Sequence, residues 1–195
     1  MRSYLLLFIF LLLALASGCG RANSSVQTGN PDACSLITAD EFAAQQGEQL
    51  RETKITNRVD GDLDVSQCFF AAQTFSKSIS VIVTTNTRAK NPSVAMEELW
   101  ESRFSVHDKD RDEEEKEQKP AAAKPQREEE EGETDAIKVD NLGDEAFWMG
   151  DARAGVLYVL QGNAYLRISL GGADDQEARL GKARVIAAAA LKRLK

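Results

Sequence analysis

Three cysteines, one histidine and a short acidic and aromatic run hold most of this chain's capacity for chemistry. A thiol can act as nucleophile, metal ligand, lipid acceptor or half of a disulfide. Cys34 and Cys68 lie too far apart for a CxxC redox or zinc-ribbon pattern, and no histidine accompanies either. With Cys19 set apart just after the apolar leader, they form an even pair in the oxidising compartment that the leader implies. A structural disulfide is expected, with two free buried thiols as the alternative. Such a bond would stabilise the fold by roughly 3–4 kcal/mol. The single histidine, His107, excludes multi-histidine metal sites, and its place at the edge of a long charged segment puts it in solvent rather than in the pocket that a histidine-based triad needs.

Gly143-Asp144-Glu145-Ala146-Phe147-Trp148 is the one compact polar-then-aromatic motif. Asp144 and Glu145 beside Trp148 could form a ligand surface, or supply the carboxylates of a hydrolase. The simpler reading is a turn leading into a half-buried strand. Met96, Trp100 and Phe104 recur every four residues, so Trp100 either packs in a core or lines a pocket. Two acidic spacings fail as calcium loops: after Asp108, Asp110 and Asp112 come Glu113 and Lys119 where glycine and glutamate are needed. Asp60, Asp62 and Asp64 fail likewise at Val65 and Ala71. With no GxSxG, Walker, GxGxxG or HExxH motif, neither a cofactor nor a metal is expected.

Met1-Arg2-Ser3 is a basic start, and Tyr4 to Ala16 is almost purely apolar. That length matches a signal-peptide core and falls short of the ~20 residues a membrane-spanning helix needs. Ala16-Ser17-Gly18-Cys19, preceded by Leu15, resembles the bacterial lipobox, although leucine is commoner than alanine three residues before the cysteine. The resemblance implies cleavage before Cys19 and a diacylglyceryl group on its thiol. Residues 1–18 are then a leader excluded from the fold. Two or more acyl chains, at about 0.8 kcal/mol per buried methylene, would make membrane attachment effectively permanent. Gly20 follows where the family's sorting rule would place Asp for inner-membrane retention. The resemblance therefore implies an outer-membrane address if the source has that membrane. Residues 19–30 are small and polar and read as a tether.

The formal charge of −7 comes from one segment. Residues 108–135 carry thirteen Asp/Glu against six Lys/Arg, with two prolines, no aromatic residue and little apolar bulk. They are expected to be a disordered charged insert, with room for frayed helix at either end, because they cannot bury enough surface to offset their ordering entropy. The rest is balanced in charge and has no clustered basic footprint beyond its mixed-charge final helix, so nucleic acid is not an expected partner.

On either side of the insert, hydrophobic periodicity sets out the elements that must position these residues. Thr38-Ala39-Asp40-Glu41 has capping-box spacing for a short helix that ends at Gly47. Strands are expected over Leu50–Val59, Val65–Gln73 and Ser78–Thr87, then a helix from Asn91-Pro92, with Glu97, Glu98, Glu101 and Arg103 pointing away from its apolar stripe. After the insert come strands near Ala136–Val139 and Leu142–Trp148. A hairpin follows, turning at Gly162-Asn163, and then a long helix opened by Asp174 and Asp175 with Leu180, Ala183, Ala187, Ala190 and Leu194 on one stripe. The fold class is therefore α+β: a meandering antiparallel sheet packed by helices, in two loosely similar halves (31–107 and 136–195) separated by the insert.

The chain also resembles a group of bacterial envelope lipoproteins of unknown function, best known in actinobacteria. The similarity rests on Cys34-Ser35-Leu36-Ile37-Thr38 with its helix and Gly47, on Cys68, and on Leu142-Gly143-Asp144-Glu145-Ala146-Phe147 before the last hairpin and helix. It implies that Cys34 and Cys68 pair; it implies no reaction, and the acidic insert departs from the pattern. Together these readings favour a non-enzymatic, lipid-anchored envelope domain whose partners are the membrane and an envelope protein, glycan or small apolar ligand. A carboxylate-dependent hydrolase and a ligand-free scaffold are the alternatives.

Overall fold

The computed structural model describes residues 31–114, 136–151 and 153–194, with the side chains of 105–114 excepted. The leader, Cys19 and the tether lie outside the described residues, as does 115–135 of the insert. The first described turn is a short 3-10 segment, Ala33–Ser35, capped by Asp32, whose side chain accepts from the Cys34 N–H at 2.8 Å. Cys34 and Cys68 are joined by a disulfide. Beside it, the Ala33 N–H donates to Ser66 Oγ at 3.1 Å, so the segment is pinned to the middle of a strand. Helix α1, Ala39–Gln46, starts with the expected capping box on Thr38 and Glu41. It ends where Gly47 takes φ 70°, a conformation open to glycine at little cost.

Seven strands form one antiparallel sheet in the order β1-β2-β3-β7-β6-β5-β4. They are β1 Leu50–Asp60, β2 Leu63–Ala72, β3 Ile79–Thr85, β4 Ile137–Lys138, β5 Glu145–Gly150, β6 Ala154–Gln161 and β7 Ala164–Gly171. The first three form a meander, the last four form another, and the two meet where β3 pairs with β7 from Ile79↔Leu170 to Thr85↔Ala164. The turn expected at Gly143-Asp144 leads into the strand, which begins at Glu145. Asn141 and Gly143 have φ of 60° and 65°, which breaks the extended chain. A Cβ on Gly143 would stand 2.5 Å from the Leu160 carbonyl oxygen, so the turn lies tight against β6.

Because strand side chains alternate, the sheet has two faces with different covers. One face carries Phe70, Val81, Val83, Trp148, Leu157, Val159, Leu166 and Ile168, and it packs against α1 and helix α3, Gln176–Arg193, through Phe42, Ala183, Ile186, Ala187 and Ala190. This is the main core. Arg179, fully buried in α3, donates to the carbonyls of Asp151 (2.8 Å) and Asp174 (2.6 Å), tying the β5–β6 loop to the start of the helix. The opposite face is crossed by helix α2, Pro92–Glu114, which buries Met96, Trp100 and Phe104 against Phe147, Tyr158 and Leu160. The α2 backbone runs seven residues into the stretch expected to be disordered from Asp108.

Each half is thus a meander followed by a helix, but the likeness stops there. A two-fold axis through the β3–β7 pair, perpendicular to the sheet, would place both helices on one side. α2 and α3 lie on opposite sides.

Candidate ligand groove

On the α2 side the helix does not sit flat across the sheet. It leans over β5, β6 and β7, where Trp100, Phe104, Phe147, Tyr158 and Tyr165 form a continuous aromatic cluster. Ring centroids lie 4.4 Å apart for Trp100–Phe104, 4.9 Å for Phe104–Phe147, 5.8 Å for Trp100–Tyr165 and 5.9 Å for Tyr158–Tyr165. Towards β1, β2 and β3 the helix leaves a groove of about 320 Å³. Its floor is Leu63 and Val65 of β2 and Ile82 of β3; Met96, Leu99 and Trp100 of α2 form one wall.

Around this apolar floor stand three arginines from three elements: Arg58 of β1, Arg103 of α2 and Arg167 of β7. The Arg103 guanidinium lies 5.3 Å from the centroid of the Tyr158 ring and that of Arg167 lies 5.9 Å from the same centroid, so both cations approach one aromatic ring. None of the three makes an ion pair with a described residue, although Asp60 lines the same groove. Tyr165 reaches in beneath them. Its hydroxyl oxygen is buried and has no hydrogen-bond partner among the described residues. Burial pushes this phenol well above its ordinary range, with the positive charges of Arg103 and Arg167 acting in the opposite direction.

The other flank of α2 has the opposite sign. There Glu98 and Glu101 join Glu145 of β5 around a wide, open hollow. A ligand meeting this face would therefore find cations on one side of the helix and carboxylates on the other.

The residues singled out from sequence separate into distinct roles. Trp100 is 3% exposed and forms a wall of the groove, while its Nε1 donates to a carboxylate oxygen of Glu145. Glu145 also pairs with Lys138 at 3.2 Å. Asp144 accepts from the Gly162 N–H at 2.6 Å and from Gln161 Nε2 at 3.4 Å, locking the β5 turn onto the β6–β7 hairpin. The two carboxylates therefore address different neighbours. Trp148 corrects the expectation of a shared surface: it is 0% exposed and belongs to the core on the far face, because its strand parity is opposite to that of Phe147. Arg103 is a second correction. Expected to point away, it turns into the groove because Met96, Leu99, Trp100 and Arg103 follow the i, i+3, i+4, i+7 rule of a single helical stripe. Arg58, Arg167 and Tyr165 were missed, although strand alternation places Tyr165 and Arg167 together on one face.

Among the described residues no group of three or more His, Cys, Asp or Glu could hold a metal ion, and no helix is long and apolar enough to cross a membrane. Asp64, the closing acid of the failed Asp60-Asp62-Asp64 spacing, is instead buried and accepts from Thr87 at 2.6 Å and Arg88 at 2.9 Å. The Thr87 hydrogen bond, with help from Arg88, holds its carboxyl below the ordinary range. Compared with protein-family models, with curated proteins and with solved structures, the chain has no match in any of the three.

Proposed function

We propose that this protein is a lipid-anchored extracytoplasmic binding protein of the bacterial envelope, one that holds a small ligand in the groove between α2 and the sheet. The observation that carries the binding reading is the groove itself: a concave apolar floor with convergent polar groups from β1, α2 and β7 and an unsatisfied buried hydroxyl. Small-molecule sites are built this way, and about 300–1,000 Å³ is their usual size. Attachment rests on the Ala16-Ser17-Gly18-Cys19 pattern at the end of the apolar leader. Asp144 and Glu145 address different neighbours, each holding a turn or a side chain in place, which favours the binding reading over a hydrolase.

Native mass spectrometry of protein released from membranes tests both parts. The mature mass should begin at an acylated Cys19, and a small-molecule adduct should accompany it. Ile82→Trp, which fills the groove from its floor, should remove the adduct and leave the anchor mass unchanged. An adduct that persists in this variant would place binding elsewhere, and an unmodified Cys19 would remove the anchor.

A further inference from the structure

We infer that the ligand is an anionic amphiphile, a single carboxylate or phosphate head on an apolar body. The head would lie between Arg103 and Arg167, and the body along Leu63, Val65 and Ile82. This rests on the binding reading above and specifies its chemistry. Charge is the first argument. Arg103 and Arg167 both approach the Tyr158 ring, and neither has a carboxylate partner among the described residues. Two cations near one ring with no paired carboxylate among the described side chains repel each other, and an anion placed between them turns that repulsion into attraction. Guanidinium groups also offer paired N–H donors that match the oxygens of a carboxylate or phosphate.

The second argument is the Tyr165 hydroxyl, a buried donor with no acceptor among the described residues. A buried polar group left unpaired is costly, and an anionic oxygen entering the groove would supply the missing acceptor. The third is the floor. Leu63, Val65, Ile82 and Met96 offer no hydrogen bonds to a polar body such as a sugar, but they would cover an alkyl or aryl one. The same sheet face continues past Arg167 into a second shallow hollow with Phe69, Phe75 and Val156, which gives a longer apolar body somewhere to extend.

The full chain can be titrated with 11-bromoundecanoate, 11-bromoundecanol and inorganic phosphate, with tryptophan fluorescence as readout. Bromine quenches on near contact, and the two tryptophans lie on opposite sheet faces, so Trp100 reports groove occupancy and Trp148 does not. The acid should quench the wild type and leave the remaining emission of Trp100→Phe unquenched. The alcohol should bind at least tenfold more weakly, and millimolar phosphate alone should not displace the acid. Arg103→Gln and Arg167→Gln should each weaken the acid at least tenfold and leave the alcohol unchanged, with thermal melts confirming that both variants fold. Undecyl phosphate in place of the acid distinguishes the two heads: the tighter binder is the class of the natural ligand. Equal affinity for acid and alcohol, or insensitivity to both arginine variants, would overturn the anionic ligand and leave the groove as a binding site. Absence of quenching by either compound would remove the binding reading itself.

Discussion

Arg193, near the end of α3, reaches back to Glu41 at the start of α1, with contacts of 2.8 and 2.9 Å to the two carboxylate oxygens and 3.0 Å to the Leu36 carbonyl. The Arg193 hydrogen bond lowers the Glu41 pKa from its ordinary 4.5, and the Thr38 cap adds to the effect. The folded state therefore binds a proton at Glu41 less readily than the unfolded chain does. The resulting stability is complete above the ordinary value and is lost as the pH falls through the lowered one. Both side chains are about one-third exposed, so solvent screens the pair and the effect is modest. Arg193→Gln should lower the urea midpoint at pH 7, and the difference from wild type should vanish well below pH 4.5. A difference that persists in acid would mean that the arginine acts through its carbonyl contacts alone. At this scale the sequence was half legible. The Thr38–Glu41 box could be read from spacing, whereas its partner 152 residues away could not. Trp148 and Trp100 differ in fate because one-residue strand parity decides which face a side chain joins, and composition carries no parity until the strand's register is known.

The glycines of β5 and β6 are explained by what lies across them. Trp148 spreads flat over Gly150 and Gly155, and a Cβ on Gly155 would come within 2.0 Å of the indole ring. Gly155→Ala should therefore cost at least ~2 kcal/mol in a denaturant melt, through overpacking of the core. Gly181 gives the contrast: it lies in the exposed interior of α3, and an added Cβ would meet nothing within 4 Å. Gly181→Ala should stabilise the protein by about 0.5–1 kcal/mol, since alanine restricts the unfolded chain and favours helix. If Gly155→Ala were as well tolerated as Gly181→Ala, the assigned Trp148 packing would be wrong. Elements were well forecast where pattern and burial coincide, as in β2, β3 and the β6–β7 hairpin. Where the two part, element ends are harder to read. Apolar residues run out near His107, with only frayed helix expected beyond, and the α2 backbone stays helical to Glu114. Lys109, Arg111, Glu113 and Glu114 are good helix formers, so propensity extends the helix beyond the part that packs. β4 is only two residues long, the middle of the Ala136–Val139 stretch where a strand was expected.

For the molecule as a whole, the α+β meander was readable from the order of elements, but the partnership of β3 with β7 was not. Nothing in the local pattern says that the last strand returns to the middle of the sheet. The groove was hidden for the same reason. Arg58, Arg103 and Arg167 are scattered through the sequence and become a cluster only when β1, α2 and β7 are brought to one face. If Cys19 carries lipid, the eleven residues between it and Pro31 keep the domain within roughly 40 Å of the bilayer, counting a fully extended chain. A ligand with an apolar body would then be met close to its source.

The junction between the two meanders has a further consequence. Seven residue pairs of the β3–β7 ladder, the shared core beneath α3 and the Arg193 bridge to Glu41 all cross from one half to the other, and none of them depends on the polypeptide link between Glu114 and Ala136. A chain severed within that link should stay together as two pieces. With a protease site placed there, the cleaved protein should elute from a sizing column at its original position and keep its circular dichroism, and separately made pieces should recombine on mixing. Covalent continuity would then serve chiefly to deliver two complementary subunits in equal number.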